Sequence, residues 1–251
     1  MVDMVKICID PGHGGAEPGA TYNGHIEKVL NLVYANKIYN ILKSYNCNVF
    51  ITRLDDNTVS VGKRSEWIKE FGPDVCISCH FNAGGGAGTE AILSVNAPDY
   101  ITTLATMIVK DITNTFGLKS RGTYTREASH SKKNKKIDYY GLHRLGSPNV
   151  IIVEPLFLDN KGDIELLKSA AFMDKLAMCI AATIISALKL VKKAGKPIPP
   201  PPPIVIGRKE KQFIQERCNF SQPEDVWACI DNHHKYPEVV WKKIAAAMGY
   251  K

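Results

Sequence analysis

Neither an address nor an anchor stands out in this chain. No long apolar stretch follows a basic start at the N-terminus, so the expectation is cytoplasmic synthesis without a signal peptide. No apolar run is long enough to span a bilayer, and the longest, near residues 176–188, is broken by polar residues, so membrane insertion is not expected. A large excess of one charge is also missing. The formal net charge is +7 over 251 residues, with 23 basic against 19 acidic side chains in residues 1–195 and 8 against 6 in residues 207–251. Neither part is basic enough to demand nucleic acid, although the mild positive bias suits an anionic partner. The chain has no internal repeat.

Further absences narrow the chemistry. The seven cysteines are odd in number and mostly sit inside apolar patterns, which points to buried free thiols rather than a disulfide framework. Cys76-Ile77-Ser78-Cys79 has redox spacing but falls within a strand, where residues i and i+3 point to opposite faces. Gly12-His13-Gly14-Gly15 lacks the Lys-Ser/Thr ending of a phosphate-binding loop. His233-His234 lacks partners at zinc-finger spacing, and Trp227 and Trp241 read as core residues of a small module rather than sugar platforms.

What is present is an ordinary globular composition, 45% apolar and 23% charged, with strand and helix signals in alternation. Strands are expected at 5–9, 48–52, 74–79, 89–94 and 149–153, and helices at 27–44, 61–70, 98–116 and 162–191. Residues 119–138 are polar and basic and read as a long loop. This order predicts an α/β fold with a mostly parallel twisted sheet flanked by helices. A proline-rich spacer (195–206) then separates a larger α/β domain (1–194) from about three short helices (207–251), a small all-helical domain near the lower limit for independent folding.

Three apolar runs end on a potential metal ligand or a carboxylate: Ile7 to His13, Val75 to His80, and Val150 to Glu154. Parallel sheets carry their chemistry at the carboxyl ends of the strands, so His13, His80 and Glu154 are expected to share one edge. Hydrolytic zinc sites combine three protein ligands, drawn from His and a carboxylate, with an open fourth position. Glu27, opening a helix at that edge, can complete such a set, although a glutamate in a first helical turn also simply complements the macrodipole. Glu154, directly after four apolar strand residues, needs a nearby cation or donor. Beside zinc it can act as a general base on water; a structural salt bridge is the competing role.

These residues resemble a family. Ile9-Asp10-Pro11-Gly12-His13-Gly14-Gly15, Glu17-Pro18-Gly19-Ala20, Asn23 to Lys28, and Asn31-Leu32 are similar to the zinc-dependent N-acetylmuramoyl-L-alanine amidases of the amidase type 3 family. So are Thr52-Arg53, Arg64, Ser78 to Ala83, Gly88-Thr89-Glu90 and Val153-Glu154; the likeness covers about residues 4–190. It implies one catalytic Zn2+ held by His13, Glu27 and His80, a catalytic Glu154, and cleavage of the amide between N-acetylmuramic acid and L-alanine of bacterial peptidoglycan. Two departures touch the pocket shape. Cys79 replaces a β-branched residue and should face away from the metal, and Pro155 replaces a small residue after the glutamate.

Asp10, Asn82 and His25 are candidates for supporting the ligands or touching substrate, with turn stabilisation as the competing role. Arg64 reads as a structural anchor, and the Lys-rich loop 132–136 as a solvated segment or a contact with anionic wall polymer. The overall expectation is a phage endolysin acting on the cell wall in host cytolysis, its helical tail binding wall or self-associating. A sporulation autolysin of the same activity, or a zinc peptidase cutting the stem peptide, is the alternative.

Overall fold

The computed structural model describes residues 4–129 and 136–193. The expected spacer, helical tail and most of the Lys-rich loop lie outside them. Within the described residues, β1 (Lys6–Pro11) leads to a short hairpin, β2 (Thr21–Tyr22) and β3 (His25–Ile26), and then to α1 (Glu27–Leu42). β4 (Asn48–Ile51), α2 (Val61–Phe71), β5 (Val75–Cys79), β6 (Thr89–Leu93) and α3 (Asp99–Phe116) follow. The remainder is β7 (Ser120–Thr125), α4 (Gly141–Leu145), β8 (Val150–Glu154), α5 (Lys161–Ile164) and α6 (Phe172–Ala187).

Six strands form one sheet in the order β4-β1-β5-β8-β6-β7. The first four run parallel. β6 pairs antiparallel with β8, and β7 pairs parallel with β6. The fold is therefore α/β with a mostly parallel sheet, as expected.

The period-2 alternation of the strands sorts the core into two layers. Ile7, Ile9, Val75, Ile77, Cys79, Ile151 and Val153 pack with buried residues of α1, α3 and α6. Cys8, Cys76, Ile92, Val150 and Ile152 face the other way, against Ile68 of α2 and Leu142 of α4. Cys76 and Cys79 thus sit on opposite faces of the sheet, and the described cysteines are free thiols. α2 is capped as its sequence suggests, with the Ser60 hydroxyl accepting from the Lys63 amide and Gly72 closing the last turn at φ 59°.

Two sequence expectations are corrected. Residues 119–138 are not all loop, because Ser120–Thr125 is the edge strand β7. Its polar residues need no apolar alternation, since most of it stays exposed. The final helix expected at 162–191 is broken: α5 is followed by a 3-10 turn at Glu165–Lys168, and α6 leaves at 100° to that pair. The first piece is tied elsewhere, since the Asp163 carboxylate accepts from the Gly88 and Phe157 amides at 2.7 and 2.9 Å. Among the described residues no single helix is long and apolar enough to cross a membrane.

Candidate metal centre and its carboxylate neighbour

The carboxyl ends of β1 and β5 bring His13 and His80 together, their rings edge to face with centroids 5.0 Å apart. Glu27, the first residue of α1, lies between them. Its Oε2 is 3.2 Å from His13 Nε2, and its Oε1 is 2.9 Å from His80 Nδ1. The three side chains offer ligand atoms that all lie within 4.8 Å of one another.

The backbone is shaped around this cluster. His13 adopts φ 58°, the sparsely populated left-handed region. Arg64 holds it there by donating to the His13 carbonyl through Nη2, and through Nη1 to Pro11 O at 2.6 Å and Asp10 Oδ1 at 2.7 Å. Arg53 donates to Pro11 O, Gly12 O and Lys28 O at 2.9–3.0 Å, tying the loop to the start of α1. Gly12 is required by close approach, because a Cβ there would stand 2.3 Å from the His80 ring. Gly19, at φ 68°, would place one 2.5 Å from Glu27 Oε2.

Glu27 is 4% exposed, and burial alone would raise its pKa. Hydrogen bonds and charge from His13 and His80 outweigh that and hold the carboxyl below its ordinary range. The Ala20 amide (2.8 Å), the Phe81 amide (3.2 Å) and Asn31 Nδ2 (3.2 Å) add three more donors. The result is a rigid, anionic carboxylate flanked by two imidazoles.

Glu154 ends β8 at the same edge, in the opposite electrostatic condition. Burial is the main cause that pushes its pKa up to about 8, reinforced by the negative charges of Glu90 and Glu27. A hydrogen bond from Asn82 and the charge of Arg121 oppose this only in part. Glu90 sits directly across from Glu154 on β6.

The three weaker candidates fall in different places. Asn82 donates to Glu90 Oε1 at 2.6 Å and is near enough to Glu154 to oppose the rise of its pKa. Asp10 accepts from Thr52 at 2.5 Å, Ser78 at 2.9 Å and Arg64, so it acts on the cluster only through the arginine that holds His13. Burial works against its charge, but Arg64 and these bonds keep its pKa low. His25, half-buried on β3 opposite Tyr22, is not part of the three-residue cluster. Lys136, the described end of the basic loop, pairs with Glu127 at 3.1 Å. Sequence reasoning missed Asn31 as a direct partner of Glu27, although its i+4 spacing places both on one helix face. It also missed Glu90 as a neighbour of Glu154, which only the strand register reveals.

The donor set fits zinc. One Glu27 oxygen lies 3.2 Å from His13 Nε2 and the other 2.9 Å from His80 Nδ1, near the about 3.3 Å spacing of ligand atoms around a tetrahedral ion, and one ligand atom from each residue lies within 4.8 Å of the others. Two imidazoles and one carboxylate are also the ligands of hydrolytic zinc sites.

The family model described as N-acetylmuramoyl-L-alanine amidase (Amidase_3) matches residues 7–186. The chain belongs to that family. It is 35% identical to the N-acetylmuramoyl-L-alanine amidase CwlM of Bacillus licheniformis, over 76% of this chain and 72% of that one. It is 31% identical to a sporulation-specific N-acetylmuramoyl-L-alanine amidase of Bacillus subtilis (76% and 71% covered). With the endolysin of Bacillus phage SPP1 it shares 32% (77% and 69% covered). Among solved structures, Cwp6 from Clostridium difficile superposes with a TM-score of 0.68 at 32% identity, over 75% of this amidase and 30% of that chain.

Proposed function

We propose that this amidase cleaves the bond between N-acetylmuramic acid and L-alanine by zinc-assisted attack of water. His13, Glu27 and His80 hold the ion, and Glu154 is the acid–base group. The observation that carries this reading is the convergence at one sheet edge of a three-donor cluster and a separate carboxylate whose pKa is raised.

Bound zinc supplies Lewis acidity, polarising the scissile carbonyl and making a nearby water a stronger acid. The residues do the rest. The Glu27 carboxylate keeps the Ala20, Phe81 and Asn31 donors, which fix it beside both imidazoles as an anionic ligand. Positive charge at the cluster favours the ionised form of Glu154, which takes the proton of the attacking water on a carboxylate oxygen. The environment that raises its pKa then favours holding that proton until the amide nitrogen accepts it as the bond breaks. Release gives a free L-alanine amino terminus and an unsubstituted lactyl group.

For biological setting we favour a phage endolysin, made in the host cytoplasm and acting on the wall after release, with residues 207–251 as the wall-binding part. The likeness to the SPP1 endolysin supports it. The likeness to a sporulation-specific amidase supports the second reading, a mother-cell autolysin. A holin gene next to this one would favour the first; its location among sporulation genes, the second.

Digestion of purified wall with and without chelator, read by mass spectrometry, tests the chemistry. New L-alanine amino termini that disappear with chelator are expected. Cuts within the stem peptide would instead make this a peptidase, and full activity in chelator would remove zinc from the account.

A further inference from the structure

The sheet edge does not end at Glu154. Because β6 runs antiparallel to β8 and β7 runs parallel to β6, the starts of β6 and β7 lie at the edge where β8 ends. Glu90 is 3% exposed and its carboxylate is filled: Oε1 accepts from Asn82 at 2.6 Å and Tyr124 at 3.1 Å, and Oε2 accepts from Arg121 Nε. A second buried carboxylate beside the acid–base group disfavours its ionisation, so its placement asks for a reason. What Glu90 accomplishes is to fix Arg121.

That arginine is restrained on two sides and open on the third. Its Nε is spent on Glu90, and its guanidinium carbon lies 5.0 Å from the Phe157 ring centroid. Among the described residues no hydrogen bond engages its two terminal nitrogens, and the side chain is 39% exposed. It borders an open cleft of about 460 Å³ shared with Glu90, Lys119, Ser120 and Tyr124. Arg53 and Arg64, near the other end of the edge, are 4% exposed and donate to main-chain carbonyls. A guanidinium held by Nε and a ring face, with free terminal N–H groups, is pre-organised to grip a carboxylate with both.

The geometry points to a carboxylate-binding subsite at Arg121 for the acidic stem peptide of peptidoglycan. This rests on the amidase reading above. The Arg121 backbone lies two strands beyond Glu154 and its guanidinium, bonded to Glu90, one strand beyond, about 5–10 Å at ordinary strand spacing, and an extended peptide covers that in about two or three residues. The recognised carboxylate therefore belongs to the second or third residue from the scissile bond. Walls in which it is amidated are poorer substrates.

Soluble muramoyl peptides carrying that carboxylate free or amidated test the subsite in the zinc-loaded full chain. The amidated form is expected to show a KM about tenfold higher, and Arg121→Gln should bring the KM ratio of the two peptides close to one. Arg121→Lys should leave an intermediate ratio. General damage to the fold would scale both KM values together and keep the ratio. The double substitution Glu90→Gln with Arg121→Gln, which leaves no unpaired buried charge, should abolish the preference equally. A wild-type ratio near one, or an unchanged ratio in both Gln variants, overturns the subsite. If neither peptide is cleaved, the amidase reading fails separately. Calorimetric binding of the same peptides to the Glu154→Gln full chain then reads the preference without turnover, with the same outcomes deciding.

Discussion

Glu27 and Glu154 are the same side chain at the same sheet edge, and their neighbours drive them apart. Glu27 sits among donors: two imidazoles, two backbone amides and the Asn31 amide hold it as an anion despite burial. Glu154 follows four buried apolar residues and faces two other carboxylates, so its anion is disfavoured and its pKa is pushed up to about 8. One arrangement suits holding a cation rigidly. The other suits a group that must gain and lose a proton near neutral pH. The division of labour lies in the surroundings rather than in residue type.

Exchanging either carboxylate for its amide tests that division with the largest effect. Glu154→Gln should lower kcat by about 10²–10⁴-fold while one zinc per chain is retained. Glu27→Gln should lose zinc, with an affinity drop beyond the roughly 10–100-fold that removal of a supporting partner costs. Metal content by mass spectrometry, measured beside turnover, separates the two. Loss of zinc in the Glu154 variant would mean that both carboxylates serve the metal.

The next effect concerns the framework behind Glu27. Arg64→Met would leave Asp10 buried with only Thr52 and Ser78 as partners. Removing one member of a buried pair costs about 3–5 kcal/mol, readable from the denaturant midpoint. It also releases the His13 carbonyl, so zinc affinity should fall with stability. Unchanged affinity in a folded variant would show that His13 keeps its left-handed backbone without the arginine.

The Glu27 half of this comparison was more legible in the sequence than the Glu154 half. Ile7 to His13 and Val75 to His80 announce parallel strands by short apolar runs, and the positions of the two histidines follow from where those runs stop. Glu27 was visible because it opens a helix that the spacing of Val33, Ile38 and Leu42 already suggested. Glu90 and Arg121 were not visible as site neighbours. Their proximity to Glu154 depends on β6 turning antiparallel and on β7 pairing at the edge, and Ser120–Thr125 carries no apolar alternation to betray a strand. The break before α6 was hidden for a similar reason. The piece before the break is tied by the Gly88 amide, which donates to the Asp163 carboxylate, a long-range bond that no local periodicity records.

The smallest predicted effect isolates the electrostatics of Glu154 from catalysis. Its carboxyl titrates near 4.5 when unperturbed and at about 8 in the folded, metal-free chain. The folded state thus binds this proton more tightly than the unfolded one, so the contribution of Glu154 to stability is greatest below about pH 4.5 and declines as pH rises through the interval up to about 8. Glutamine stays neutral throughout and escapes the decline. In metal-free protein, Glu154→Gln should therefore be more stable than its parent at pH 9, by on the order of 2–3 kcal/mol, about half of what the full shift would give were this partly exposed carboxyl unscreened by water, with the gain shrinking toward zero at pH 4. Chemical denaturation across that range measures it. A gain of equal size at pH 4 and 9 would assign the effect to packing rather than charge, and would remove the electrostatic contrast between the two glutamates. Repeating the measurement with zinc bound should shrink the gain at pH 9, because a cation beside Glu154 stabilises the very anion that the metal-free chain disfavours.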